Sequence, residues 1–459
     1  MDISAPLLMP HQDAGAAWLL AQGAGLLAFE AGTGKTISAL EAVKRRDARR
    51  ILIVMPASLL DQWHSEIIRW GYGEDVYQMT GGKAEREAVY RGLAHPGALV
   101  DMAPSGRVFI LTSYERFRLD AKAAYGVAWD AVILDETLKI QSPTALMTKA
   151  VLLMPRLPGQ LRVALNGTPY SNGWGDIWAT VSWLAPGTLY RTWWQFRTMH
   201  AIVNPYFHGI TGWRGVDEIK SKIKPHIMTV RKTDVLSDLP EKTEIQIPVT
   251  LSKKEFAVYH RIKEELILEW DGEDTSLPNI IVKMMRLRQC ANGLFAFPGH
   301  GEVSSKLDVL GDVLEPLFQA SLPVVVFSEF EETANRVAQQ YGLPVISGRV
   351  SQKDRAQIVE DFNAGKVKGI VGTRAMALGL NLQAASHLVN VDLPFSYAQY
   401  DQRIGRVWRH GQKNAVTVYN LMANNTVDFN VWAILARKLS GADELASVTR
   451  ADVDEILST

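Results

Sequence analysis

Short apolar runs recur along the chain, separated by stretches with helical spacing. ILIVMP at 51–56, VFILTS at 108–113, AVILDE at 131–136 and LRVALNGT at 161–168 are four such runs. Each ends in polar or glycine-containing residues, and runs of this length predict strands of a parallel sheet covered on both faces. The patterns at Thr36 to Lys44 and Leu60 to Trp70 predict helices between them. A second series begins after about residue 300, with VVVFSEF at 324–330, GLPVISG at 342–348, KGIVGTR at 368–374, HLVNVD at 387–392 and AVTVYN at 415–420. The expected fold is therefore α/β, with two parallel-sheet lobes in tandem.

Residues 172–300 have a different texture. Trp174, Trp178, Trp183, Trp193, Trp194 and Trp213 come first, followed by charged helical patterns with few strand signals. This predicts a helical insertion whose tryptophans are apolar anchors in helix contacts rather than base-stacking platforms. TVDFNVWAILARKL at 426–439 places Val427, Val431, Ile434 and Leu435 on one helical face, a brace for the second lobe. The expected boundaries are 1–195 for the first lobe, 196–300 for a helical protrusion and linker, 301–445 for the second lobe and 446–459 for a C-terminal tail. No short-period repeat or low-complexity tract interrupts them.

At 459 residues the chain exceeds one ordinary core, in line with two or three domains. Its 49 basic and 49 acidic side chains cancel, so any nucleic-acid surface must be a local groove. A single cysteine, Cys290, excludes an intrachain disulfide and a cysteine-rich zinc site, and is expected to be a small buried hydrophobe. The opening residues MDISAPLLMPHQ lack a basic region followed by a long apolar one, so neither secretion nor membrane insertion is expected. A reducing cytoplasm is the expected setting.

The candidate chemistry lies at the strand ends, where open α/β sheets bind ligands. In FEAGTGKT at 29–36, a Gly-rich turn between strand and helix would turn the backbone N–H groups of Gly32, Thr33 and Gly34 toward phosphate oxygens. Lys35 would neutralise them, and Thr36 would ligate Mg2+. The strict phosphate-loop pattern has glycine where this chain has Phe29. Asp135-Glu136, closing an apolar strand, would supply a carboxylate for the metal and another to orient a water. Taken singly, the first motif also reads as an ordinary turn and the second as a solvated strand end.

In their order these segments resemble a superfamily 2 helicase-like ATPase of the Swi/Snf branch of double-stranded DNA translocases. LLMPHQDAGAAWL at 7–19, FEAGTGKT, ILIVMPASLLDQWHSEIIRW, LTSYE at 111–115, DETLKIQSP and LNGTPYSN at 165–172 are similar to the boxes of its first lobe. VRKTDVLSDLPEK at 230–242 and LRQCAN at 287–292 resemble the elements particular to that branch. SSKLDVL, VVVFSEF, GTRAMALGLNLQAA and QRIGRVWRHGQKNAVTVYNL follow in the order of its second lobe. The chain departs from the pattern at Phe29, at Thr137-Leu138 after the acidic pair, at Asn166, and at Met376-Ala377 where two glycines are usual. A polar residue at 138 would normally bond across the site, so Leu138 implies weaker coupling.

The resemblance implies two RecA-like lobes and ATP with Mg2+ as cofactors. It assigns catalytic roles to Lys35, Asp135, Glu136, Gln402, Arg406 and Arg409, the two arginines acting as fingers, although a solvated basic helix face is the alternative. Gln12 would read the adenine, Gly379 would join the ATP site and Thr168 would couple it to movement. His11 beside Gln12 either touches the nucleotide or caps and packs. Ser58, Thr112, Ser113 and Thr373 would grip phosphates of the tracked strand, or else serve as helix caps and turn residues. The implied activity is a DNA-stimulated ATPase driving translocation on double-stranded DNA, with forked or single-stranded DNA as further partners. A strand-separating or annealing helicase and an ATP-gated clamp with weak turnover are the alternatives. A monomeric motor without chromatin-reader, nuclease or zinc domain is expected, in a bacterium or phage-infected cell.

Overall fold

The computed structural model describes residues 8–73, 75–95, 106–170, 173–203, 210–236, 238–270, 277–297, 299–377 and 379–439. The predicted tail at 446–459, Leu7, and Ser171 and Asn172 of LNGTPYSN lie outside them, as does the Ile434 side chain. Two compact units emerge, one drawn from Met1–Val203 and Gly212–Ser237, the other from Asn204–Thr211 and Asp238–Thr459.

The first unit is built on strands β1 (Ala24–Phe29), β2 (Arg50–Met55), β3 (Val76–Gln78), β4 (Val108–Ser113), β5 (Ala131–Asp135) and β6 (Leu161–Asn166). Strands β7 (Ala201–Val203) and β8 (Ile210–Trp213) form a separate two-stranded sheet, and β9 (Ile227–Val230) returns to the main one. The seven-stranded order is β3-β4-β2-β5-β6-β1-β9. Its strand pairings are all parallel among the described residues. β1, β4, β5 and β6 are buried along their whole length, as an uninterrupted apolar run between two helical layers requires. The registers Ala28↔Asn166 and Asp135↔Leu165 bring the carboxyl ends of β1, β6 and β5 side by side. That edge carries the candidate chemistry.

The second unit holds β10 (Lys242–Val249), β11 (Val324–Phe327), β12 (Val345–Ile346), β13 (Gly369–Gly372), β14 (His387–Asn390) and β15 (Val416–Ala423), in the order β10-β15-β14-β11-β13-β12. Period-2 geometry divides β11 between two cores. Val325 and Phe327 join Ile370, Leu388 and Val418 on one face, while Val324 and Val326 join Val371, Val389 and Leu421 on the other. The expected brace is present: Val427, Val431 and Leu435 of the helix Val427–Leu439 are buried.

The region read as helical insertion contributes edge strands to both sheets, β9 to the first and β10 to the second. β9 is only four residues long and follows the Lys224–His226 turn, so it carries little periodic signal. β10, KTEIQIPV, alternates polar and apolar residues along an edge, where the side chains stay half-solvated and Pro248 is tolerated. The tryptophans do pack as anchors. Trp174, Trp178 and Trp183 are buried, and Trp193 meets both Trp178 and Trp213, with ring centroids 5.7 and 6.4 Å apart. Trp194 is the exception at 68% exposed. Cys290 is buried, and that burial pushes its thiol up to about 12, leaving no reactive thiolate at neutral pH.

Candidate functional site

The turn after β1 is fixed from two directions. Phe29, the departure from the phosphate-loop pattern, is wholly buried, and a Cβ added at Gly15 would lie 2.9 Å from its ring. It is the last core residue of β1 rather than part of the ligand loop. Beyond it, Gly32 and Gly34 take φ of 88° and 89°, the left-handed region that favours glycine. A side chain at Gly34 is excluded in any case, since its Cβ would fall 2.2 Å from Gln12 Nε2. Thr33 Oγ1 donates to Glu30 O at 2.8 Å, while Thr33 O accepts from Gln12 Nε2 at 3.3 Å and lies 2.7 Å from His11 Nε2. From the other side, Glu30 N donates to Val230 O at 3.0 Å and Lys232 N donates to Glu30 Oε2 at 2.9 Å. His11 therefore holds the loop. The Gln12 amide is engaged too, its Oε1 accepting from Met9 N at 3.0 Å. Gly34 caps the helix Lys35–Arg45 without a side-chain hydrogen bond, leaving the first N–H groups of that helix for a ligand, with Lys35 and Thr36 half-buried beside them.

Asp135 closes β5 and is buried. Its Oδ2 accepts from Trp63 Nε1 at 2.8 Å, its Oδ1 from Glu136 N at 2.9 Å, and its carbonyl from the Tyr114 hydroxyl at 2.8 Å. Burial pushes the Asp135 carboxyl up to about 6. The Glu136 charge adds to the rise, while the Lys35 ammonium and the Trp63 N–H oppose it. Glu136 sits at φ 52°, ψ 57°, a left-handed conformation costing a non-glycine residue about 1–2 kcal/mol, which the surrounding bonds must hold in place.

These residues fit a phosphate and Mg2+. Asn166 Oδ1 and Thr168 Oγ1, where β6 ends beside β1, are buried without a hydrogen-bond partner among the described residues, and buried polar atoms of this kind call for one. The metal donors are oxygens, which suits Mg2+ held by one or two carboxylates together with phosphate. Two departures from the family pattern also meet here: Asn166 Nδ2 donates to Thr137 Oγ1 at 3.3 Å, both residues buried. A polar link between these two boxes is thus present one residue before Leu138.

Trp63, to which the sequence assigned no site role, acts on Asp135 through its indole N–H, which favours the charged carboxylate. Trp63→Phe should raise the Asp135 pKa and move the acidic limb of the ATPase pH–rate profile to higher pH, because the metal-binding form is the ionised one. Profiles of kcat against pH at saturating Mg2+ for parent and variant check this, and superimposable curves contradict it.

Thr112 and Ser113 are buried, and Ser113 Oγ accepts from Arg116 N at 3.3 Å as the cap of the helix Tyr114–Ala124. Their capping and packing roles are visible. Ser58 and Thr373 are half-buried at the ends of β2 and β13.

In the second unit Arg406 is half-buried. Its Nε donates to Gln402 O and its Nη1 to Leu380 O, each at 3.1 Å, and Leu382 N donates back to Arg406 O at 3.1 Å. Gly379, at φ 69°, turns the chain into that segment. Arg409 is half-buried, and its carbonyl accepts from Gln412 N at 3.0 Å. Gln412 fixes the loop with five bonds: Nε2 donates to Gln383 O, Ala385 O and Val407 O, and Oε1 accepts from the N–H groups of Lys413 and Asn414.

Sequence reasoning gave no role to Arg403, yet it is fully buried. It donates to Asn390 Oδ1 and Asp392 O, each at 2.8 Å, and pairs with Glu329. Asp392 accepts from Ser328 Oγ at 2.5 Å, Glu329 N at 2.7 Å and Asn292 Nδ2 at 2.8 Å. Asn292 and Arg288 are two of the three polar residues of LRQCAN, and both are buried, so that element serves here as structural cement. Ionic side chains inside apolar runs were the available signal.

Two parallel sheets, with a phosphate-loop turn and an acidic pair at the carboxyl edge of the first, define the class of nucleotide-binding α/β proteins. The chain matches the SNF2-related domain over residues 11–295 and the Helicase conserved C-terminal domain over 305–411. It belongs to the SNF2-related family, and its two parallel sheets match the two tandem sheets expected from the resemblance. It is 26% identical over 448 residues to Protein CHROMATIN REMODELING 4 of Arabidopsis thaliana, covering 90% of this chain and 20% of that protein. With ISWI chromatin-remodeling complex ATPase ISW1 of Saccharomyces cerevisiae the identity is 25%, over 94% of this chain and 40% of that protein. With Uncharacterized ATP-dependent helicase MG018 of Mycoplasma genitalium it is 26%, over 94% and 41%. The chain thus spans between 20% and 41% of the length of these relatives. Among solved structures, the Sulfolobus solfataricus SWI2/SNF2 ATPase core in complex with dsDNA aligns at 24% identity and TM-score 0.45, covering 95% of this chain and 92% of that one. No helix among the described residues is long and apolar enough to cross a membrane.

Proposed function

We propose that this chain is an ATP-driven motor that moves along double-stranded DNA. The observation carrying the proposal is the carboxyl edge of the first sheet, where an uncapped helix start, Lys35 and a buried Asp135-Glu136 pair stand together in a chain of this family. When bound, ATP with Mg2+ supplies a phosphoanhydride whose charge the metal offsets. Lys35 and the backbone N–H groups of Gly32 to Thr36 would hold the phosphates, with Gln12 toward the base. Thr36 and Asp135 would hold the metal, and Glu136 would orient the attacking water and take its proton. Gly379 would join the nucleotide site. Gln402, Arg406 and Arg409 are assigned the stabilisation of charge developing on the transferred phosphoryl group, a role worth roughly three to five orders of magnitude in rate. Thr168, with its open hydroxyl, is the coupling residue. Ser58, Thr373 and, once released from their buried positions, Thr112 and Ser113 would contact DNA phosphates, which carry no sequence information and suit a translocase.

ATP turnover measured with single-stranded, double-stranded and forked DNA and with RNA tests this reading, with duplex DNA expected to stimulate most. Equal turnover with and without nucleic acid defeats it. Displacement of a triplex-forming strand while the duplex stays paired marks translocation; release of a duplex strand would move the assignment to a strand-separating helicase. A motor of this kind acts in the cytoplasm of a bacterium or of a phage-infected cell, and as a monomer.

A further inference from the structure

The first unit also presents an apolar surface away from the nucleotide edge. Tyr125, Trp129, Met154, Pro155 and Leu157 line a pocket of about 140 Å³ beside the amino end of β5. Next to it, Leu153 is 72% exposed, and Leu146, seven residues earlier on the helix Leu146–Leu152, is 61% exposed. A separation of seven residues is close to two helical turns, so both leucines lie on one face. The adjoining helix Tyr114–Ala124 adds Leu119, 59% exposed, and the two helices are tied where the Tyr125 hydroxyl donates to Ala150 O at 2.5 Å. Leu119, Leu146 and Leu153 are three of the four most exposed large apolar side chains among the described residues. Burying such residues is favourable, so their concentration beside a pocket needs a function.

The charges here are predominantly positive. From Thr137 to Gly159 the sequence contains no acidic residue, and from Arg116 to Trp129 only Asp120, which is buried against Arg86 at 2.6 Å; Glu115, exposed one turn before Leu119, and Asp130, whose Oδ2 accepts from the N–H groups of Arg49 and Arg50, flank the second stretch. Arg118, Lys122, Lys149 and Arg156 are exposed around the leucines. In a chain whose charges sum to zero this is a local positive field. A second copy would bring the same cations to the same face, so an isologous dimer is disfavoured. Nucleic acid would satisfy the rim and leave the leucines wet. A lipid surface has nothing to insert into a concave pocket.

We infer that this face docks an acidic amphipathic helix of a partner protein, with large apolar side chains at i, i+3 or i+4 and i+7 entering the pocket and covering Leu146 and Leu153, and carboxylates meeting the four cations. The surface is separate from every residue given a role in the nucleotide or DNA sites, so the motor reading can fail without affecting it.

Three fluorescein-labelled peptides serve as probes on the full chain: a helical peptide with leucines at that spacing and glutamates elsewhere, the same peptide with lysines for the glutamates, and the glutamate peptide with serines for the leucines. The first is expected to bind with an affinity that falls as salt rises, and to protect amides at 119–125 and 146–153 from hydrogen exchange. The other two are expected to bind at least roughly tenfold more weakly, since truncated anchors dominate such interfaces. Leu146→Glu/Leu153→Glu should cost the first peptide a similar factor while basal ATP turnover, which reports an intact fold, stays unchanged. Lys149→Glu/Arg118→Glu should do the same through charge alone. Equal binding of all three peptides, protection elsewhere, or no effect of the leucine variant overturns the inference. So does binding of phosphatidylglycerol vesicles, or self-association in sedimentation, that the leucine variant abolishes while the acidic peptide fails to bind.

Discussion

Glu136→Gln is expected to lower ATP turnover by about two to four orders of magnitude, the usual contribution of a positioned general base, while nucleotide still binds. The substitution keeps the size of the side chain and the backbone that Glu136 adopts at φ 52°, where its N–H donates to Asp135 Oδ1. What it removes is one negative charge. Glu136 is the charged neighbour that raises the Asp135 pKa, so the neutral variant leaves Asp135 more readily ionised and its capacity for Mg2+ intact or improved. Turnover and binding should separate accordingly. Phosphate release measured at steady state should collapse, and titration with a fluorescent ATP analogue in the presence of Mg2+ should give a Kd within a few-fold of the parent. A variant that turns over within tenfold of the parent would remove Glu136 from the chemistry and bring back the nucleotide-gated clamp as the better account of the site.

Much of the molecule was readable from residue order. Short apolar runs such as AVIL and VVVF, bounded by turn residues, fit covered strands, and the residues that follow them fall at the ligand-binding edge whatever the sheet order. The order itself was not readable: β6 standing between β1 and β5, and β9 and β10 closing one edge of each sheet, depend on pairings made far apart in sequence. Edge strands half in water, such as KTEIQIPV, also carry no strong pattern. At the site, residue types indicated which groups carry charge and metal, but not how those groups are held. The Trp63 bond to Asp135 spans 72 residues and the Asn166 bond to Thr137 spans 29. Read one at a time, Asn166 and Thr137 were two defects; side by side they form one buried pair, because a hydrogen bond needs only a complementary donor and acceptor, not the family's usual residues. Thr112 and Ser113 show the opposite case, since a hydroxyl at a strand end is equally fit to cap a helix, and only burial distinguishes the roles.

Lys306→Met should cost the second unit about 3–5 kcal/mol, the usual penalty for leaving a buried charge without its partner. Lys306 is wholly buried, and its ammonium is fully committed: it donates to Asn292 Oδ1 at 3.0 Å and Val391 O at 2.9 Å, and lies 2.6 Å from Asp428 Oδ2. Methionine fills a similar volume, so little of the loss would come from a cavity. It would come from Asp428, left buried with Ala423 N as its remaining donor among the described residues, and from the carbonyls of Asn292 and Val391. Asn292 also donates to Asp392, which in turn accepts from Ser328 and Glu329, so the damage should reach the segment that positions Arg403. Hydrogen exchange of the amides of β11 and β14 under increasing urea measures the effect within the second unit, without assuming that the whole chain unfolds in one step. The double variant Lys306→Met/Asp428→Asn separates the two possible causes. If the penalty is the stranded charge, neutralising Asp428 should recover a large part of it, and the pair should show strong coupling in a double-mutant cycle. If the two losses simply add, the ammonium matters through the Asn292 and Val391 bonds, and the buried ion pair contributes little to the stability of this lobe.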